Sequence, residues 1–315
     1  MAGIVTLTMN PTIDTSTSTS YVIAEQKLRC RQPRDDPGGG GINVSRAIKK
    51  LGGESKAFYF AGGWYGEKLK ELLDREKIDH VPIPIQGSTR QDLIILDERS
   101  KKQYRFQTPG PELQESELDA CYKALSEISP RPEYLVASGS LPPGVPEDFY
   151  ARVGRLAHEF GSRFIVDTSG SALVHAARAG AFLLKPNLKE LQILVQHDVE
   201  DESRIEGAAR EVLETGEAEV LVVSLGAGGA LLATREHLRY LRAPTVPIVS
   251  KVGAGDSMVG GIVLKLAEGE AIETAVQYGV AAGAAAVMTP GTELCRKDDT
   301  DRLFQKMAAA PGSEK

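Results

Sequence analysis

The stretch Val252-Gly253-Ala254-Gly255-Asp256-Ser257-Met258-Val259-Gly260-Gly261 decides how the chain is read. Two glycines flank an alanine, an acid follows, and small and apolar residues continue at helical spacing (Met258, Val259, Ile262, Leu264, Leu266). The pattern predicts a tight loop turning into a helix. Gly253 and Gly255 let the backbone bend with its amides bare, and those amides, with the helix dipole, make the helix start an anion site. Asp256 stands at its mouth. A carboxylate repels a resting phosphate, but it suits a hydroxyl that must lose a proton while attacking a phosphate held by those amides. The plainer alternative is an N-capping Asp on a buried helix.

Outward from this loop, short apolar runs alternate with helical patterns. Residues 56–60, 134–137, 164–166, 182–184 and 220–223 read as buried strands, with helical stretches between them. Leu69, Leu72 and Leu73 mark one helix, and Leu118, Cys121, Leu125 and Ile128 another. That order predicts an α/β domain with a mainly parallel sheet covered on both faces. Residues 4–7 form the first strand, Asn10-Pro11 breaks it, and Asp14 is expected just beyond its C-terminal end, where open α/β sheets bind ligands. The segments 15–36 and 89–108 have another texture, polar and β-branched or alternating. They read as one small β-sheet, a lid, inserted into a main domain of residues 1–14, 37–88 and 109–315.

Gly38, Gly39, Gly40 and Gly41 directly precede a helix on which Val44, Ala47, Ile48 and Leu51 share a face. Four glycines cost conformational entropy, so a close approach of backbone to a ligand is expected here rather than a linker. Arg90 at the lid boundary, with Lys27 and Arg29 on the other lid piece, is read as a clamp for a substrate phosphate, since a guanidinium grips phosphate bidentately. The Gly- and Ala-rich residues 280–287, Val280 and Ala284 among them, suit a helix packed beside a ligand.

Forty-three acids against thirty-seven bases give a net charge of −6, which argues against nucleic acid as a partner. Cys30, Cys121 and Cys295 are odd in number and far apart, so reduced thiols are expected, not a disulfide frame or a zinc site. The N-terminus has no basic leader before an apolar core, and no apolar run approaches the roughly eighteen residues of a membrane span. A soluble cytoplasmic protein is expected. The Walker and protein-kinase motifs are absent.

Asp14, the run Gly38–Gly41, Lys185-Pro186-Asn187-Leu188-Lys189-Glu190 and Gly253-Ala254-Gly255-Asp256, in this order and at these distances, resemble the PfkB (ribokinase-like) family of sugar kinases over residues 6 to about 299. The resemblance implies a ribokinase-like three-layer domain and ATP-dependent phosphorylation of fructose 6-phosphate at its 1-hydroxyl, with Asp256 as base beside the amides of Gly253, Ala254 and Gly255. It implies that Asp14, the glycine run and Asn43 hold the sugar, with Ser138 and Gly139 lining the same cleft. Lys185 would shield the phosphates, and Asn187 and Glu190 would place Mg²⁺ largely through water. Ser224, Gly226, Gly228 and Gly229 resemble the loop on the adenosine side. Ser250, Val252, Ala286, Thr289, Gly291 and Glu293 match positions that bind K⁺ in relatives, and the lid is the homodimer interface there. A 1-phosphofructokinase or tagatose-6-phosphate kinase is the nearest rival, although such relatives usually carry a lysine inside the glycine run. A silent sugar-phosphate sensor is the rival from another class, disfavoured because Asp256, both loop glycines, Asn187 and Glu190 are all present.

Overall fold

The computed structural model describes residues 3–199 and 201–309; Met1, Ala2 and most of the tail 308–315, read from sequence as frayed, lie outside them. The strands in chain order are β1 (Ile4–Thr8), β2 (Thr12–Thr19), β3 (Arg34–Gly38), β4 (Lys56–Ala61), β5 (Asp79–Pro84), β6 (Arg90–Asp97), β7 (Gln103–Phe106), β8 (Tyr134–Ser138), β9 (Arg163–Asp167), β10 (Ala181–Leu184), β11 (Ala218–Ser224), β12 (Ala230–Ala233) and β13 (Leu238–Leu241). The helices are α1 (Gly40–Lys50), α2 (Gly63–Arg75), α3 (Glu115–Ser126), α4 (Phe149–Glu159), α5 (Gly170–Arg178), α6 (Leu188–Val195), α7 (Glu202–Glu214), α8 (Ala254–Ala267), α9 (Ile272–Ala286) and α10 (Lys297–Ala309).

A nine-stranded sheet in the order β13-β12-β11-β10-β9-β8-β1-β4-β5 forms the middle layer. Neighbours from β11 to β5 are parallel, and β12 and β13 close one edge antiparallel. Alternate side chains of these strands serve different cores. Val5, Leu7, Leu135, Ala137, Phe164 and Val166 pack with α3 to α7, whereas Ile4, Tyr134, Val136, Ile165 and Leu183 pack with α1, α8 and α9. Two apolar faces need two helical layers, and the near-continuous apolar strands follow from that. The sequence missed the edge strands for a physical reason. β5 holds Pro82 and Pro84, which an edge tolerates because no ladder amide is needed there.

A second sheet has the order β3-β2-β6-β7. Asp14, past the end of β1, lies within β2, opposite Asp36 and Asp92. After the Asn10-Pro11 break the chain enters this sheet at once, so β2 starts at Thr12, three residues before the lid segment read from the sequence. On the face turned from the main body, Leu93 pairs with Phe106 and Ile95 with Tyr104, and Phe106 is 53% exposed.

Helices α8 and α9 carry apolar or small residues all round, as buried helices do. They approach closely through glycines: a Cβ on Gly279 would lie 2.7 Å from the Met258 carbonyl oxygen. Gly279→Ala should therefore destabilise the fold by about 1–3 kcal/mol, read as a lower urea midpoint. An unchanged midpoint would show that the seam carrying the Gly253 loop is not tightly packed.

Candidate active site

Five neighbouring parallel strands deliver their C-terminal ends to one edge of the sheet: Ser224 from β11, Lys185 just past β10, Asp167 from β9, Ser138 from β8 and Thr8 from β1. This is where open α/β sheets place ligands. The start of α8 faces that edge. Gly253 adopts a left-handed φ of 73°, and Leu294 fills the space a Cβ would need, so both backbone and packing demand glycine. A Cβ on Gly255 would lie 3.5 Å from Lys185 Nζ, which sets that ammonium against the bare amides of the helix start. Lys185 Nζ is 3.0 Å from Asp167 Oδ1. Burial works against its charge, but Asp167, Glu190 and Asp256 outweigh this and hold its pKa above the ordinary value.

Asp256 is half-buried by surface area, yet most of its surroundings are protein. Burial pushes its carboxyl up to about 7; Asp167 and Asp14 add to the shift, while the Asn43 amide and Lys185 oppose it. Asn43 Nδ2 donates to Asp256 Oδ2 at 2.9 Å. The acid is therefore poised near neutrality, which a plain N-cap has no need of. Burial raises Asp14 as well, to about 6, against a hydrogen bond at 2.9 Å from the Thr292 hydroxyl; Asp92 adds to the rise, and Arg46 and Arg90 oppose it.

The glycine run serves the packing of the protein itself. Its missing side chains leave room for protein atoms: a Cβ on Gly38 would meet the Asp14 carboxyl, on Gly39 Thr8 and Pro11, on Gly40 Ser138 and Gly139, and on Gly41 Leu7 and Thr8. The run lets α1 press against the ends of β1 and β8, and it admits the side chains of Thr8, Asp14 and Ser138. Ser138 Oγ is buried without a partner there. Gly139 is fixed from three sides, by its amide on Asp167 O and by Tyr150 and Thr168 hydroxyls on its carbonyl.

The three cations expected to clamp a phosphate do not converge within one chain. Arg90 pairs with Thr12 at one end of β2, while Arg29 O accepts from Thr19 at the other, seven residues or about 23 Å away along the strand. Lys27 and Arg29 are exposed. Arg90 is held by Asp92 at 2.8 Å and by the carbonyls of Thr108 and Asn10, and its buried Nε has no partner.

A cavity of about 470 Å³ opens beside the α8 start, lined by Ser224, Gly226, Gly229, Val280, Ala284 and Gly255 among others. Gly228 is not on its wall; it closes the preceding turn onto Leu225 O. Asn187 and Glu190 form a reciprocal cap on α6: Asn187 Oδ1 accepts from the amides of Lys189 and Glu190, and Glu190 Oε2 from the Asn187 amide at 2.8 Å. The two therefore have a structural task. Burial, joined by nearby Asp167, also raises the Glu190 pKa, with the Asn187 amide and Lys185 opposing. Among the described residues no group of three or more His, Cys, Asp or Glu could hold a metal directly. Ser250 Oγ donates to Gly291 O and Thr289 Oγ1 to Ala286 O, bringing Val252 and the 286–293 loop together, but the Glu293 carboxylate is paired with Arg296 and Arg34.

Three residues of the site escaped the sequence reading. Asp167 carried a weak signal, an acid ending an apolar run. Thr292 and Arg46 carried none, because their partners lie hundreds of residues away in the chain or on the far side of a helix.

The family model described as pfkB family carbohydrate kinase matches residues 4–299. The chain belongs to this family. It is 44% identical over 308 residues to the ATP-dependent 6-phosphofructokinase isozyme 2 of Mycobacterium tuberculosis (strain H37Rv), covering 98% of this chain and 90% of that protein. It resembles the crystal structure of phosphofructokinase-2 from Escherichia coli in complex with potassium at 43% identity and TM-score 0.94, covering 98% of this chain and 100% of that one. The complex of the same enzyme with fructose-6-phosphate matches at 42% identity and TM-score 0.92, with the same coverage. The three layers and small second sheet are thus the ribokinase-like fold of the family. Among the described residues no helix is long and apolar enough to cross a membrane.

The raised Asp256 pKa makes a stability prediction. With about 7 in the folded chain against an ordinary 3.8, the folded state holds the proton over that window, so stability falls as pH rises from about 4 to about 7 and the full cost is present above. Asp256→Asn should raise stability at pH 8, by an amount on the order of 1–3 kcal/mol, and the gain should vanish near pH 4. A variant no more stable than the parent at pH 8 would contradict the strained carboxylate.

Proposed function

We propose that the chain is an ATP-dependent 6-phosphofructokinase, moving the γ-phosphate of ATP to the 1-hydroxyl of fructose 6-phosphate. The observation that carries this is Asp256, poised near neutrality between the nucleotide-sized cavity and the Asp14–Ser138 cleft. The sugar's hydroxyls meet Asp14, Asn43 and the Gly139 turn. The attacking hydroxyl gives its proton to Asp256, and the amides of Gly253, Ala254 and Gly255, with Lys185, stabilise charge on the transferring group. Such catalysis is positioning plus electrostatics. Asp256→Asn should lower kcat by about two to four orders of magnitude with little change in KM; a near-normal kcat would remove the base assignment.

Glu190, with Asn187 and nearby Asp167, fits Mg²⁺ reached through water, as suits a cation that keeps its hydration shell and is carried by phosphates. When bound it would shield the triphosphate. The carbonyls brought together around Ser250, Val252, Ala286, Thr289 and Gly291 fit a K⁺ site, with Glu293 contributing no free carboxylate.

The apolar face of the second sheet is the homodimer interface, because a small sheet with one face uncovered is marginal in water. Lys27 and Arg29, too far from Arg90 in their own chain, then reach the sugar's phosphate from the partner copy. Ile95→Glu should yield monomers in light scattering, with a raised KM for fructose 6-phosphate; an intact dimer would exclude this interface.

The substrate is tested by kcat/KM for fructose 6-phosphate, tagatose 6-phosphate, fructose 1-phosphate and fructose with ATP. Fructose 6-phosphate should rank first and free fructose far below it, since Arg90 Nε lacks an acceptor until a phosphate arrives. Fructose 1-phosphate ranking first would overturn the substrate while leaving the base in place.

A further inference from the structure

We infer that Arg46 is a positioning residue for the transfer proposed above: its guanidinium dictates which way the Asn43 amide faces Asp256, and through Thr292 it seats Asp14. Arg46 lies one turn after Asn43 on α1 and is 0% exposed. Its Nε and Nη2 grip the Glu76 carboxylate at 2.8 and 2.6 Å. Its Nη1 faces Pro37 O at 2.8 Å, Thr292 O at 3.0 Å and Asn43 Oδ1 at 3.2 Å.

A guanidinium has donors and no acceptor, so the Asn43 amide turns its oxygen to Arg46 and only its NH₂ is left for Asp256. The opposite orientation would set donor against donor at Arg46 and carbonyl oxygen against carboxylate at Asp256. The bond to Oδ2 favours the ionised base and leaves Oδ1 free for the sugar hydroxyl. The same Nη1 holds the Thr292 carbonyl, and the Thr292 hydroxyl donates to Asp14 at 2.9 Å. One buried cation thus sets both carboxylates of the cleft.

Among the described residues no other charge does this. Asp256 is faced by Asp167 from β9, Lys185 after β10 and Asp14 from β2, besides Asn43. Lys185 is engaged on the Asp167 side. Arg46 itself is faced by Glu76 after α2, by Asp36 of β3 at 3.8 Å and by Asp14. A role in stability alone explains less, because buried ion pairs are often no better for stability than apolar residues of like volume.

The test uses Arg46→Lys, whose point charge cannot grip Glu76 and Asn43 together, and the double variant Arg46→Met/Glu76→Met, which removes the pair without leaving the Glu76 carboxylate stranded. The readings are kcat and both KM values against pH, and the titration of the Asp256 carboxyl by ¹³C NMR in the resting protein. The inference expects kcat lower by about tenfold or more, and the acid limb and the Asp256 titration both higher by about one pH unit. KM for fructose 6-phosphate should rise several-fold and KM for ATP should hold. Folded variants that keep the parent's kcat and Asp256 titration, whatever stability they lose, would overturn it. If the parent phosphorylated no sugar phosphate the proposed function would fail, and the Asp256 titration would still decide the role of Arg46.

Discussion

The crowding of carboxylates at one edge of the sheet is the constraint around which the rest is arranged. Asp14, Asp167 and Asp256 arrive from three separate elements, and the charges of Asp167 and Asp14 add to the rise that burial gives the Asp256 pKa. Left alone, such a cluster would take up protons and lose its use as a base. Lys185 and Arg46, both buried, offset it from opposite sides, Lys185 by pressing on Asp167 and Arg46 by acting through Asn43 and Thr292. The outcome is a carboxyl near neutrality beside the open start of α8. Its cost in stability is a general feature of catalytic centres, which hold groups in states the rest of the protein would avoid.

Backbone proximity makes that balance possible. The Gly38–Gly41 run allows α1 to approach the strand ends more closely than any side chain would permit, and Gly253 lets the start of α8 close onto Leu294. The helix starts then carry their bare amides into the cleft instead of being held off by a layer of side chains. The α8–α9 seam, built on Gly279 and its small neighbours, anchors the same loop from behind.

Much of this was legible in the chain. The strand runs ending at Ala137, Val166, Leu184 and Val223 were plain because buried parallel strands are apolar on both faces, and the Gly-Ala-Gly-Asp loop announced a helix start open to an anion. What could not be read was of two kinds. The edges β5 and β13 lack the apolar density that marks a strand, and β12 is an apolar run of only four residues. Contacts such as Arg46 to Thr292 and Thr292 to Asp14 join residues with no periodic relation, so only the folded chain brings them together. The clamp of Arg90, Lys27 and Arg29 failed as a single-chain device for the same reason. Shared placement on one small sheet was visible, but the register that separates them was not.

The central claim is that Asp256 and the α8 amides share one phosphoryl transfer. A crystal structure with fructose 6-phosphate, Mg²⁺ and a non-hydrolysable ATP analogue tests it most directly. The account predicts the sugar's 1-hydroxyl within hydrogen-bond distance of Asp256 Oδ1 and the terminal phosphate over the amides of Gly253 to Asp256. A sugar bound with that hydroxyl turned away from Asp256, or a terminal phosphate seated elsewhere, would contradict it.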